Sequence, residues 1–140
     1  MIRIREIDHL VLRTARPEAM IAFYTEVLGM SVERRLEEIG LIQLRAGRSL
    51  LDLIPADSEL GRKGGAAPDE HARNLDHFCV RVDPFDEAAI RDRLKSLDVE
   101  AGPTERRYGA EGTGPSIYIR DPDGNTVELK GPADPRSPGA

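Results

Sequence analysis

Two hydrophobic periods follow one another along this chain, and they do so in the same order twice. The run Ile7-Asp8-His9-Leu10-Val11-Leu12-Arg13 has strand character, with His9, Val11 and Arg13 on one face and Leu10 and Leu12 on the other. Met20, Tyr24 and Val27 then share one helical face at i, i+4 and i+7. Pro17 suits an opening turn and Gly29 a left-handed end. These signals predict a helix over Pro17–Leu28. Alternating runs at Ile42–Arg45 and Leu51–Leu53, around the turn Ala46-Gly47-Arg48, predict strands.

The second half repeats the scheme. Leu75-Asp76-His77-Phe78-Cys79-Val80-Arg81 matches the first strand at an offset of 68, with Asp, His and Arg identical and the other positions apolar in both. Ile90, Leu94 and Leu97 match the first helical face at an offset of 70 and predict a helix over Asp86–Leu97, in a region opening near Asp83-Pro84 and closing near Asp98. Ile117–Arg120 matches Ile42–Arg45 at 75, and Val127-Glu128-Leu129 matches Leu51-Asp52-Leu53 at 76. Between them Asp121-Pro122-Asp123-Gly124-Asn125 carries Pro and Gly placed for a tight reversal.

A repeat of this kind predicts an α+β fold of two pseudo-symmetric βαβββ modules. The reading is one domain over residues 1–140: module one about 6–55, linker 56–73, module two 74–130 and tail 131–140. The first strands of the modules are expected to begin near Glu6 and Asn74, with both histidines in mid-strand. The linker has no sustained period. The tail, with three prolines in ten residues, is expected to be frayed and without function.

Composition narrows the partners. The 140 residues suit one domain, and 39% hydrophobic residues with 13 glycines leave room for a buried core. A net charge of −5 offers no basic field for a phosphate backbone, so nucleic acid is not an expected partner. No apolar run approaches the roughly 20 residues of a membrane span, and no membrane partner is expected. The single Cys79 and the charged start Met1-Ile2-Arg3-Ile4-Arg5-Glu6 point to a cytoplasmic protein.

The repeat also sorts the polar residues. A lone strand histidine is more often a hydrogen-bonded core residue than a ligand, but His9 and His77 occupy equivalent places. Each module also ends in a strand with a carboxylate between apolar residues, Asp52 and Glu128. Buried acids are rare unless paired or bound to a cation. Two imidazoles with one or two carboxylates suit a divalent transition metal with open positions, and His9, His77 and Glu128 are the expected ligands. Tyr118 shares a face with Ser116 and Arg120, opposite Ile117 and Ile119. Tyr118 and Arg120 either contact a substrate oxygen or anion, or serve as a half-buried Tyr and an Arg paired to an acid; Arg45 holds the place equivalent to Arg120. His71 is expected in solvent. Cys79 shares the His77 face, though buried thiols of this kind are usually inert.

These residues resemble the vicinal oxygen chelate superfamily of glyoxalase I, methylmalonyl-CoA epimerase, extradiol dioxygenases, and fosfomycin and bleomycin resistance proteins. The carriers are Asp8-His9-Leu10, Ala22-Phe23-Tyr24 through Val27-Leu28-Gly29-Met30, Leu75-Asp76-His77, and Tyr118-Ile119-Arg120-Asp121-Pro122-Asp123-Gly124-Asn125-Thr126-Val127-Glu128-Leu129. The run from Gly114 to Asp123 looks most like the small glyoxalase-domain proteins of the "virulence protein" type. The resemblance implies an open sheet curled around a divalent ion (Fe, Mn, Ni, Co or Zn), with ligands matching His9, His77 and Glu128, and a homodimer. A fourth family position, Glu in glyoxalase I and Gln in the epimerase, falls on Asp52. Asp is one methylene shorter than Glu, which leaves direct and water-mediated ligation both open and counts against glyoxalase I chemistry itself.

Three functions are open on this reading. In the first, an ion polarises two neighbouring oxygens of a small substrate while Glu128 or Asp52 moves a proton, in an isomerase or lyase reaction. In the second, two histidines and a carboxylate hold Fe(II) for ring cleavage with oxygen. In the third, the protein sequesters a ligand, as antibiotic-resistance proteins do. Retention of both histidines and Glu128 weighs against the third.

Overall fold

The computed structural model describes residues 1–135, which divide into two compact units, Met1–Arg73 and a second that opens at Asn74.

In the first unit β1 (His9–Thr14) leads into α1 (Pro17–Ala22), which continues as a π-helical turn over Phe23–Val27. Pro17 stands in the first turn of α1, and Gly29, at φ +67°, ends the helical segment as its position suggests. The strands β2 (Ser31–Leu36), β3 (Leu41–Ala46) and β4 (Ser49–Pro55) follow, giving a sheet of order β1-β4-β3-β2. β1 runs parallel to β4, while β2, β3 and β4 pair antiparallel. One sheet face is apolar. Leu12, Ile42, Leu44, Leu51 and Leu53 are buried on it, as are Met20, Ile21, Phe23 and Tyr24 of the helical segment. Phe23 and Tyr24 meet edge to face with centroids 5.2 Å apart.

The second unit is built alike: β5 (His77–Arg81), α3 (Glu87–Ser96), β6 (Glu105–Gly109), β7 (Gly112–Arg120) and β8 (Thr126–Lys130), in sheet order β5-β8-β7-β6. Ile117, Ile119, Val127, Leu129 and Leu94 form its core. Asp86, rather than opening the helix, caps it: its Oδ1 accepts the Ala89 N–H at 3.1 Å, so Pro84 and Phe85 stay outside. At the β7–β8 turn Asp121 Oδ1 accepts the backbone N–H of Asp123 and of Asn125, and Gly124 takes φ +79°.

Three expectations need correction. β1 and β5 start at His9 and His77, so the histidines open their strands. The parallel partner explains this: β4 starts only after the Ala46–Arg48 turn and β8 only after Asn125, setting His9 opposite Leu50 and His77 opposite Thr126. Next, the segment between the modules carries a short helix, α2 (Glu59–Arg62), because Ser58 Oγ accepts the Gly61 N–H at 3.0 Å. Arg13 also reaches this segment, donating to the carbonyls of Gly61, Gly65 and Ala66. Last, the expected frayed tail is ordered where it begins: Gly131 N–H donates to Pro115 O and Asp134 N–H to Thr113 O, and Arg106 pairs with Asp134. Residues 136–140 of that tail lie outside the described residues. No helix among the described residues is long and apolar enough to cross a membrane.

Candidate metal centre

In the first unit Asp52 sits mid-sheet on the face opposite the core, between Val11 of β1 and Gln43 of β3. It is 4% exposed. Its Oδ2 accepts a hydrogen bond from Gln43 Nε2 at 3.0 Å, and its Oδ1 is buried without a hydrogen-bond partner among the described residues. Gln43 Oε1 in turn accepts from Arg34 Nε. His9 lies on the same face, two pairs along the ladder. Its Nδ1 is 2.7 Å from Asp8 Oδ1, and this hydrogen bond, aided by the Asp52 charge and opposed by partial desolvation, raises the imidazole above its ordinary value.

In the second unit Glu128 takes the place of Asp52, between Cys79 and Tyr118, and is likewise buried. His77 Nε2 lies 3.3 Å from Glu128 Oε2, and His77 Nδ1 lies 2.6 Å from Asp76 Oδ2. The Tyr118 ring is held between His77, with centroids 5.5 Å apart, and the Arg107 guanidinium, 3.9 Å over its face. Arg107 also donates to Ser116 Oγ at 2.6 Å. Cys79 is an exposed residue, yet the atoms crowded round its thiol and the adjacent Glu128 carboxylate push the thiol up to about 11. His71 is exposed in the inter-module segment and Arg120 at the end of β7; Arg45 pairs with Glu33 at 3.0 Å.

The structure thus brings His9 and Asp52 to one face of the first sheet, and His77, Glu128 and Tyr118 to one face of the second. Within neither unit, among the described residues, do three His, Cys, Asp or Glu side chains converge as a metal cluster. The donor chemistry nonetheless fits a divalent ion. In both units the Asp before the histidine engages Nδ1 and leaves Nε2 as the ring donor, the outer-shell arrangement of metal-bound histidines. Two donors each about 2.0–2.2 Å from one ion lie roughly 3–3.5 Å apart, which the His77–Glu128 separation of 3.3 Å meets. The Asp52 Oδ1 atom is a further buried oxygen with no hydrogen-bond partner among the described residues.

Gln43, Arg34 and Arg107 did not emerge as site residues from the sequence. Gln43 had a signal, since the repeat at offset 75 sets it against Tyr118. The arginines depend on cross-strand register, which no local pattern carries.

A model of the Glyoxalase/Bleomycin resistance protein/Dioxygenase superfamily matches residues 6–129. The virulence protein STM3117 of Salmonella typhimurium is 34% identical over 127 residues, covering 90% of this chain and 83% of that protein. Its crystal structure superposes with a TM-score of 0.75 at 27% identity, over 94% of this chain and 100% of that one. A lactoylglutathione lyase from Agrobacterium tumefaciens superposes with a TM-score of 0.64 at 28% identity, over 90% of this chain and 92% of that one. With its repeated module, its Asp-His strands and this match over nearly its whole length, the chain belongs to the Glyoxalase/Bleomycin resistance protein/Dioxygenase superfamily.

Proposed function

We propose that the protein is a divalent-metal-dependent enzyme that moves a proton on a small substrate bearing two neighbouring oxygens, an isomerase or lyase reaction. The observation that carries this reading is the half-site present in each unit: a histidine with Nδ1 engaged by the preceding Asp, beside a buried carboxylate. His9, His77 and Glu128 would hold the ion, the two half-sites coming from one chain or from two. A bound ion would supply Lewis acidity toward adjacent substrate oxygens. Asp52 supplies the base: its Oδ2 is occupied by Gln43, and Oδ1 takes the proton and returns it. Tyr118, clamped between Arg107 and His77, orients the substrate beside Glu128. The likeness to a lactoylglutathione lyase supports this class of reaction. The working form is read as a cytoplasmic homodimer, so sedimentation at tens of micromolar should give a dimer; a monomer would remove that part.

The deciding experiment is metal analysis of protein purified without chelator, followed by turnover of hemithioacetals, of fosfomycin with thiols, and of catechols with Fe(II). Stoichiometric metal is expected, with oxygen-independent proton transfer on a substrate whose two oxygens adjoin, and the substrate turned over identifies the reaction. Catechol cleavage alone would replace the proposal with the dioxygenase reading, and protein that takes up no metal would end it.

A further inference from the structure

The β2–β3 ladder contains an irregularity with a chemical result. Val32 faces Leu44, but the next paired residue is Arg34, opposite Gln43. Glu33 is the extra residue of a β-bulge, a device that re-aims the side chains beyond it. With regular pairing Glu33 would face Gln43 and Arg34 would face Ile42. The bulge therefore replaces an anion with a cation beside the glutamine, and Glu33 turns instead to Arg45.

This exchange determines which way round the Gln43 amide sits. The Arg34 Nε–H donates to Oε1, which leaves Nε2 to donate to Asp52 Oδ2. A glutamate at that place would draw Nε2 to itself and present Oε1 to Asp52, oxygen against oxygen. Gln43 and Asp52 are 8% and 4% exposed, so water competes little for the link between them. Satisfying Oδ2 in this way leaves Asp52 Oδ1 buried with no hydrogen-bond partner among the described residues, and a buried polar atom in that state calls for a reason. The second unit also sets an arginine against the neighbour of its carboxylate, Arg107 over Tyr118 beside Glu128, although its β6–β7 register runs without a bulge.

We propose that Arg34, placed by the bulge at Glu33 and acting through the Gln43 amide, is a positioning residue that sets which oxygen of Asp52 stays open for ligand or proton. The inference rests on the reading of Asp52 as part of the metal half-site. Its test has two readouts, one of which uses no metal. In the metal-free protein the Gln43 side-chain amide should give a dispersed, exchange-protected pair of NMR signals, which Arg34→Ala shifts and deprotects and Arg34→Lys partly restores. In Co²⁺ titrations Arg34→Ala and Gln43→Leu should each weaken binding by about tenfold or more, as loss of an outer-shell partner does. In an Asp52→Ala background the same changes should have no further effect. A Gln43 amide indifferent to Arg34→Ala overturns the inference, as does an equal loss of Co²⁺ affinity in both backgrounds. If the unaltered protein takes up no Co²⁺, the proposed function fails; if Asp52→Ala binds it as well as the parent, Asp52 is not a ligand and serves as the base alone, and in either case the amide signals alone decide whether Arg34 orients Gln43.

Discussion

His77 and Glu128 stand on adjacent parallel strands with Nε2 3.3 Å from Oε2, while Asp76 engages the other ring nitrogen. The imidazole is therefore fixed from both sides, and the buried carboxylate faces a partner one-third exposed to solvent. His77→Ala should abolish stoichiometric metal uptake and leave the circular dichroism spectrum unchanged, because the side chain carries little of the core. Full retention of metal by the folded variant would take His77 out of the site.

The Asp8–His9 pair has a pH signature. The hydrogen bond raises the imidazole above its ordinary 6.5, so the folded state gains from the protonated pair. That gain is fully present below pH 6.5 and is lost as the pH rises through the raised folded value. In Asp8→Asn the His9 titration, followed by NMR, should move down toward 6.5. By urea denaturation the variant should be less stable than the parent at pH 5, with the difference shrinking as the pH rises through the raised folded value.

The fold was legible in the repeat, while the ends of its strands and the supporting residues Gln43, Arg34 and Arg107 were not. Alternation at Ile42–Arg45 and the helical face Met20–Tyr24–Val27 are local patterns, and both elements appear. The starts of β1 and β5 depend on where β4 and β8 begin, which is long-range information. Both histidines and both carboxylates showed themselves by equivalence, and Tyr118 by sharing a face. Arg34 escaped because its role needs a bulge that shifts the register by one residue.

Cys79 should resist alkylation. With the thiol pushed up to about 11 by its crowded surroundings and the Glu128 carboxylate, little thiolate is present at pH 7.5, and the thiolate is the nucleophile. Mass spectrometry should show iodoacetamide labelling slower than that of an unfolded control, and faster in Glu128→Gln. Rapid labelling of the native protein would contradict the arrangement round the sulfur.

Leu53 lies on the apolar face of β4 and is fully buried. Leu53→Ala should lower unfolding stability by roughly 2–5 kcal/mol, the usual cost of such a cavity, and Gln43→Leu by roughly 1–3 kcal/mol, because it leaves a buried carboxylate oxygen unpaired. Urea midpoints measure both, and a small loss at Leu53 would mean that the first unit repacks around the gap.

The turn at Asp121–Asn125 bears on the order in which the second half-site assembles. A five-residue reversal brings Tyr118 and Glu128 together across antiparallel strands, and such local closures are quick. His77 must find Thr126, about fifty residues downstream, before β5 can join the sheet, and distant pairings form slowly because loop entropy is lost before contacts return it. The carboxylate is thus in place before its histidine arrives, so mixing metal with the chain at the start of refolding should accelerate only the late phase, in which the parallel ladder closes.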